Sequence, residues 1–208
     1  MDNAHGEMSD VVKNALAEIG NIGAGNAATS LSTMLSAELT MSPPQVDIYD
    51  FNELENILGG PDQVVVGVLS MVEGDMQAMI LFVMGMDDAK HLVKSLVGEE
   101  LDWRSEMGLS SISEIANILI GSYSGSLEML SGMKIRYEQP SLCVDMAGSI
   151  LSVPCIHFAK VSDKALLINS HFKVGQYEIN GYIMMVSETH SYDVFLNNLG
   201  IGGVGSNG

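Results

Sequence analysis

Residues 18–35 read EIGNIGAGNAATSLSTML, and residues 114–131 read EIANILIGSYSGSLEMLS. The two stretches lie 96 positions apart and align without a gap: Glu18 falls on Glu114, Ile19 on Ile115, Asn21 on Asn117, Ile22 on Ile118 and Gly25 on Gly121. Ser30 and Leu31 fall on Ser126 and Leu127, and the same offset carries Pro44 onto Pro140. Agreement at so many fixed positions predicts an internal repeat, which organises the reading of everything around it.

Working outward from the first copy, Val12, Leu16, Ile19 and Gly23 recur at helical spacing, predicting a helix from about Ser9 to Met34 with Asn14, Glu18 and Asn21 on another face. A turn follows at Pro43 and Pro44. Apolar runs at Val64–Val72 and Met76–Met84 flank Glu73-Gly74-Asp75 in the pattern of a hairpin, and Asp87 to Val97 reads as a helix closed by Gly98. The second half repeats this order, with a helix from about Ser110 to Leu130 and a break at Pro140. Apolar segments follow at Ser141–Val153 and Pro154–Val161, strand-like runs at Ala165–Asn169 and Tyr177–Val186, and a short helix at Tyr192–Leu199.

No Pro- or Ser-rich linker separates the halves, so they are expected to fuse into one domain over residues 1–208. Repeat 1 spans about 9–98 and repeat 2 about 107–200, with residues 201–208 as a flexible tail. The expected fold class is α+β: an internally duplicated, pseudo-twofold unit with a central, mainly antiparallel β-sheet and two long site-bearing helices on one side.

Composition narrows the function. Nine Lys and Arg stand against 26 Asp and Glu, a formal charge of −17. Duplex nucleic acid and anionic membrane surfaces are both bound through cationic side chains, so neither is an expected partner. The amino terminus, MDNAHGEMSD, lacks a basic flank and an apolar stretch, and no run is apolar enough to span a bilayer; the expected location is the cytoplasm. Cys143 and Cys155 are the only cysteines, too few for a disulfide scaffold and too far apart for a zinc or redox pair. The five histidines, His5, His91, His157, His171 and His190, show no paired ligand spacing, so no metal site is expected. GNIGAGN lies inside a helical pattern rather than after a strand, which argues against a dinucleotide loop.

Residues three and four apart are neighbours on a helix, so Asn14, Glu18, Asn21 and Gly25 form one stripe, and Ser110, Glu114, Asn117 and Gly121 another. A solvated face tolerates any polar residue. Finding Glu and Asn at both equivalent places therefore needs a reason beyond solubility. Glycine adds to the case, because Gly20, Gly23, Gly25 and Gly121 each cost about 1 kcal/mol against Ala inside a helix. Close approach of another backbone over the stripe would compensate, as would tight packing of the helix on its own sheet, which is the expectation for Gly20 and Gly23.

The pattern of Asp or Ser, three residues, Glu, two residues, Asn, about twenty-two residues, Pro resembles the signature of the CheC, CheX and FliY phosphatases of chemotaxis. The second half matches throughout with Ser110, Glu114, Asn117 and Pro140; the first, with Asn14, Glu18, Asn21 and Pro44, departs at its first position. The two-copy layout resembles CheC more than the single-site CheX. The resemblance implies hydrolysis of the aspartyl phosphate on the response regulator CheY, with Asn21 and Asn117 orienting the attacking water and Glu18 and Glu114 docking the receiver's lysine. It further implies that this chain binds no cofactor, Mg²⁺ being held by the CheY receiver domain. Pro44 and Pro140 are expected to be turn residues ending the helix-to-strand connection.

The segment SLCVDMAGSILS, residues 141–152, resembles the CheC stretch that engages the receptor deamidase CheD, which makes Asp145 a candidate contact. A polar residue at a strand edge would read the same way. The competing function is a non-catalytic module, either a scaffold for CheD or a regulator-binding relative of the flagellar switch protein FliM. The retained Glu and Asn pairs favour the phosphatase. The internal pseudo-symmetry favours a monomer that forms hetero-complexes.

Overall fold

A computed structural model describes residues 10–35, 38–97, 102–158 and 164–201. Among them the chain runs α1 (Asp10–Leu35), β1 (Leu39–Met41), β2 (Gln45–Asp50), α2 (Phe51–Ile57), β3 (Val64–Gly74), β4 (Ala78–Gly85) and α3 (Met86–Val97). It continues through α4 (Glu106–Ser131), β5 (Ile135–Tyr137), β6 (Ser141–Met146), α5 (Ala147–Phe158), β7 (Lys164–Val174), β8 (Tyr177–Ser187) and α6 (Thr189–Asn198). The order helix, two strands, helix, two strands, helix thus occurs twice.

Local chemistry accounts for the ends of α4. The Ser105 hydroxyl accepts the Gly108 N–H at 3.2 Å as an N-cap, and Gly132, at φ 68°, donates its N–H to the Glu128 carbonyl at 2.9 Å. Between these caps the buried residues Ile112, Ile115, Ala116, Leu119, Ile120 and Tyr123 follow the helical period.

The strands form a single sheet in the order β1-β7-β8-β4-β3-β5, with β2 also on β7 and β6 also on β3, and every pairing is antiparallel. The expected hairpin is β3–β4, pairing Val72 with Ala78 at its tip. The edge strands change halves. β1 and β2 follow α1 in the chain but lie end to end along β7, while β5 and β6 follow α4 but lie end to end along β3.

Alternation along the strands gives the sheet two apolar faces. Val66, Val68, Ile80, Phe82, Ile168 and Ile183 share one buried cluster with residues of α1, α3, α4 and α6. Val65, Leu81, Val83, Leu167, Met184 and Val186 share the other with α2 and α5. The two long helices therefore do lie on one side of the sheet, as expected, and they pack against each other there.

The second face is where the chain departs from the sequence reading. The apolar residues after Met146 are helix α5 rather than extended chain, and a short helix α2 stands where no element is expected. Both bury apolar side chains, Leu54 from α2 with Leu58 at its C-cap, Ile150 and Leu151 from α5, on a sheet face that would otherwise meet water. Ile201, expected at the start of a flexible tail, is buried in the first cluster, and its N–H donates to the Leu196 carbonyl at 3.0 Å. The rest of that tail, residues 202–208, lies outside the described residues, as do the Gly98 helix stop and His5.

Candidate functional site

Helices α1 and α4 carry the eight-residue constellation as two exposed stripes. Asn14, Glu18, Asn21 and Gly25 all face solvent on α1. On α4, Ser110 and Glu114 are exposed, whereas Asn117 and Gly121 are half-buried. Each Glu stands one helical turn before its Asn, a spacing of about 5–6 Å between Cβ atoms. Among the described residues, none of these Glu and Asn side chains takes part in a hydrogen bond or ion pair. The carboxamides keep an acceptor oxygen and two donor hydrogens free, and the carboxylates keep their full acceptor capacity.

A turn joins the two edge strands that follow each long helix, and on α1 it lies against the helix beside Asn21. Residues 42–44 join β1 to β2, held down by the Ser42 N–H donating to the His171 carbonyl at 2.9 Å. The corresponding turn, 138–140, joins β5 to β6; its Glu138 N–H donates to the Met71 carbonyl at 2.9 Å and its Glu138 carbonyl accepts the buried Ser70 hydroxyl at 2.7 Å. Pro44 and Pro140 are thus turn residues between two strands, rather than the end of a helix-to-strand connection.

The turn explains Gly20. A Cβ there would come within 2.8 Å of Val46 Cγ2 and 3.0 Å of Pro44 Cγ, so glycine lets the turn settle on α1. This is the packing of helix on its own adjoining strand that the sequence suggests. Gly23 is different: its side-chain position is taken by the ring of Tyr123, so the glycine serves helix-on-helix packing.

A shallow groove of about 210 Å³ follows Asn21 along the helix. Ala24, Gly25 and Ala28 form one wall and Met41, Ser42 and Pro43 the other. A Cβ on Gly25 would meet nothing within 4 Å. On α4 the counterpart glycine is covered, since a Cβ on Gly121 would stand 2.7 Å from the Tyr137 hydroxyl. Sequence reasoning passed over these wall residues. The signal was present in the 96-residue offset, which sets Met41 against Tyr137.

Neither cysteine joins the stripes. Cys143 lies on β6 with its thiol 3.6 Å from the Gly67 carbonyl, and Cys155 lies on α5, across the sheet from α1 and α4. Burial, then the carboxylate of Asp145, pushes the Cys143 thiol up; burial, then Glu55, does the same to Cys155. His91 stacks on Tyr177, His157 packs edge-on to Phe158, and His171 Nδ1 lies 2.7 Å from Asn180 Oδ1. Among the described residues, no three His, Cys, Asp or Glu side chains gather as a metal site needs.

Asp145 stands apart from both stripes. It is exposed on β6, which is bonded along one side to β3, and its own Oδ1 accepts the Met146 N–H at 2.7 Å. Val144 and Met146 beside it are also exposed.

With this geometry in hand, a sequence profile of the CheC-like family matches residues 11–48, the segment holding Glu18, Asn21 and the Pro44 turn. Over those residues the chain is similar to the CheC-like family. It is 28% identical over 193 residues to the CheY-P phosphatase CheC of Bacillus subtilis (strain 168), covering 89% of this chain and 92% of that protein. It is 26% identical over 138 residues to the flagellar motor switch phosphatase FliY of the same organism, covering 64% of this chain and 36% of that one. In three dimensions the chain superposes on Thermotoga maritima FliY with a TM-score of 0.70 at 21% identity, covering 92% and 99% of the two chains. No described helix of this protein is long and apolar enough to cross a membrane.

Proposed function

We propose that this CheC-like chain is an aspartyl-phosphate phosphatase whose substrate is phosphorylated CheY. The observation that carries the reading is the same Glu and Asn pair, one turn apart and unengaged on both long helices, fully exposed on α1 and with Asn117 half-buried on α4. Similarity to a CheY-P phosphatase along 89% of the chain supports it. A receiver domain brings its own phosphoryl group and Mg²⁺, so the accelerating protein need only align water and leave the developing charge undisturbed.

In this proposal Asn21 or Asn117 accepts a hydrogen bond from the attacking water, aligning its oxygen with phosphorus. Being neutral, the carboxamide does not repel the phosphoryl oxygens as a carboxylate would. The new P–O bond forms as the bond to the receiver aspartate breaks. Inorganic phosphate leaves with the water's oxygen and both its protons, as H2PO4⁻ in exchange with solvent, and the aspartate is freed as carboxylate. Glu18 or Glu114 pairs with the receiver's lysine and anchors the complex. Asn14, Ser110, Pro44 and Pro140 frame the two sites. No covalent phosphoenzyme is required.

The same proposal takes residues 9–98 and 107–200 as two copies of one unit, for which the repeated element order and the 96-residue offset speak. The protein would work in the cytoplasm as a monomer and engage CheD as a second partner through β6, around Asp145 and the exposed Val144 and Met146. An Asp145→Lys variant should lose CheD in a pull-down yet keep its phosphatase activity; retention of CheD would remove that assignment.

The deciding experiment follows loss of phosphate from CheY with Mg²⁺ present. Glu18→Ala/Asn21→Ala and Glu114→Ala/Asn117→Ala should each slow the accelerated decay, and the quadruple variant should abolish acceleration while remaining folded. Equal decay in all four proteins, with CheY still bound, would leave a regulator-binding scaffold instead.

A further inference from the structure

The two stripes match in sequence at Glu and Asn but not in the space beside them. Past Asn21 the helix surface is open: Gly25 has no neighbour within 4 Å of its side-chain position, and Met41 stands back as the opposite wall of a groove. Past Asn117 the Tyr137 hydroxyl lies against Gly121 and fills the equivalent place. The Tyr137 hydroxyl makes no hydrogen bond among the described residues, so the ring is placed by its strand and by packing rather than by a polar tether.

We infer that residues 41 and 137 set the selectivity of the two sites, the first admitting a small apolar side chain of the docked receiver into its groove and the second excluding it. This rests on the proposed phosphatase activity for the choice of partner. Asn21 is itself part of the groove lining, so a receiver seated on Asn21 must cover the groove. The walls fit an apolar occupant. Ala24, Ala28, Met41 and Pro43 offer carbon surface, and Ser42 has its backbone N–H already committed to His171. A charged side chain would lose solvation against these walls without gaining a partner.

The test uses the full chain with one live site at a time, Asn117→Ala for the first and Asn21→Ala for the second. In the first background, Met41→Tyr and Gly25→Leu fill the groove from opposite walls; Gly25→Leu meets no neighbour at its Cβ and should fold normally. Both should raise KM for phosphorylated CheY roughly tenfold and leave kcat unchanged. In the second background, Tyr137→Met should lower KM. Affinity for a beryllofluoride-activated receiver should move in parallel with KM.

Unchanged affinity in all three variants overturns the inference, whatever the activity does. If the single-site proteins bind the activated receiver without accelerating phosphate loss, the phosphatase reading falls while the affinity shifts still decide the groove. Absence of binding in both single-site proteins sinks the two together.

Discussion

The ring of Tyr123 occupies the space that any side chain at Gly23 would need: a Cβ there would lie 2.5 Å from Tyr123 Cδ1. Tyr123 is buried and cannot swing aside without vacating the α1–α4 contact. Gly23→Ala should therefore destabilise by about 1–3 kcal/mol despite the better helix propensity of alanine. In a Tyr123→Ala background the same change should be neutral or mildly stabilising. Urea unfolding of the four proteins measures the coupling, and equal effects in both backgrounds would show that the ring is not the obstacle.

Tyr123 also shapes the response to alkali. Burial holds its phenol above the usual value, partly countered by the hydrogen bond with Ser170 at 3.1 Å. A folded-state value raised above the unfolded one means stability that is complete below about pH 10 and declines as pH rises past it. Tyr123→Phe should cost about 1–2 kcal/mol at pH 8, because the buried Ser170 hydroxyl loses its partner. That deficit should shrink between pH 10 and 11. A deficit that stays constant across the range would contradict the assignment.

Gly74 sits at φ 118°, and a Cβ on it would run into the carbonyl oxygen of Lys134. That carbonyl accepts the Asp75 N–H at 3.0 Å, while Asp75 Oδ2 accepts the Lys134 N–H at 2.9 Å. The β3–β4 turn is thereby clasped to the chain entering β5. Gly74→Ala should cost at least about 2 kcal/mol through strain and loss of this clasp. Thermal unfolding is the check, with a wild-type midpoint as the adverse result.

Cys143 is an exposed residue on β6, yet partial desolvation of its thiol and then the Asp145 charge disfavour the thiolate, so it should react more slowly with iodoacetamide at pH 8 than a free thiol. Asp145→Asn removes the second cause, lowers the thiol's pKa and should speed alkylation roughly twofold to threefold. The comparison is made in a Cys155→Ser background. A slower reaction in the Asn variant would have the wrong sign.

The 96-residue offset made the two helices and both Glu and Asn pairs legible, because helical spacing and a repeated motif are local properties. The second helical layer was not legible for equally local reasons. Phe51–Ile57 is too short to show a period, and Ala147–Phe158 is almost uniformly apolar with Pro154 inside it, so its sequence resembles a buried strand. What makes it a helix is the apolar sheet face it covers, which exists only once β3, β4, β7 and β8 have paired. The inequality of the two grooves was hidden too. It depends on Tyr137 reaching Gly121 from another element.

The exchange of edge strands also governs what a fragment of this protein could be. A chain cut between α3 and α4 would leave β7 without β1 and β2, and β3 without β5 and β6, although each fragment keeps strands meant for the other. Neither piece can satisfy its own backbone edge. Two copies of one piece could do so reciprocally, each lending its outer strands to its twin. The exchange thus makes each half a structural requirement of the other, so that the single covalent chain holds together what neither fragment could close alone.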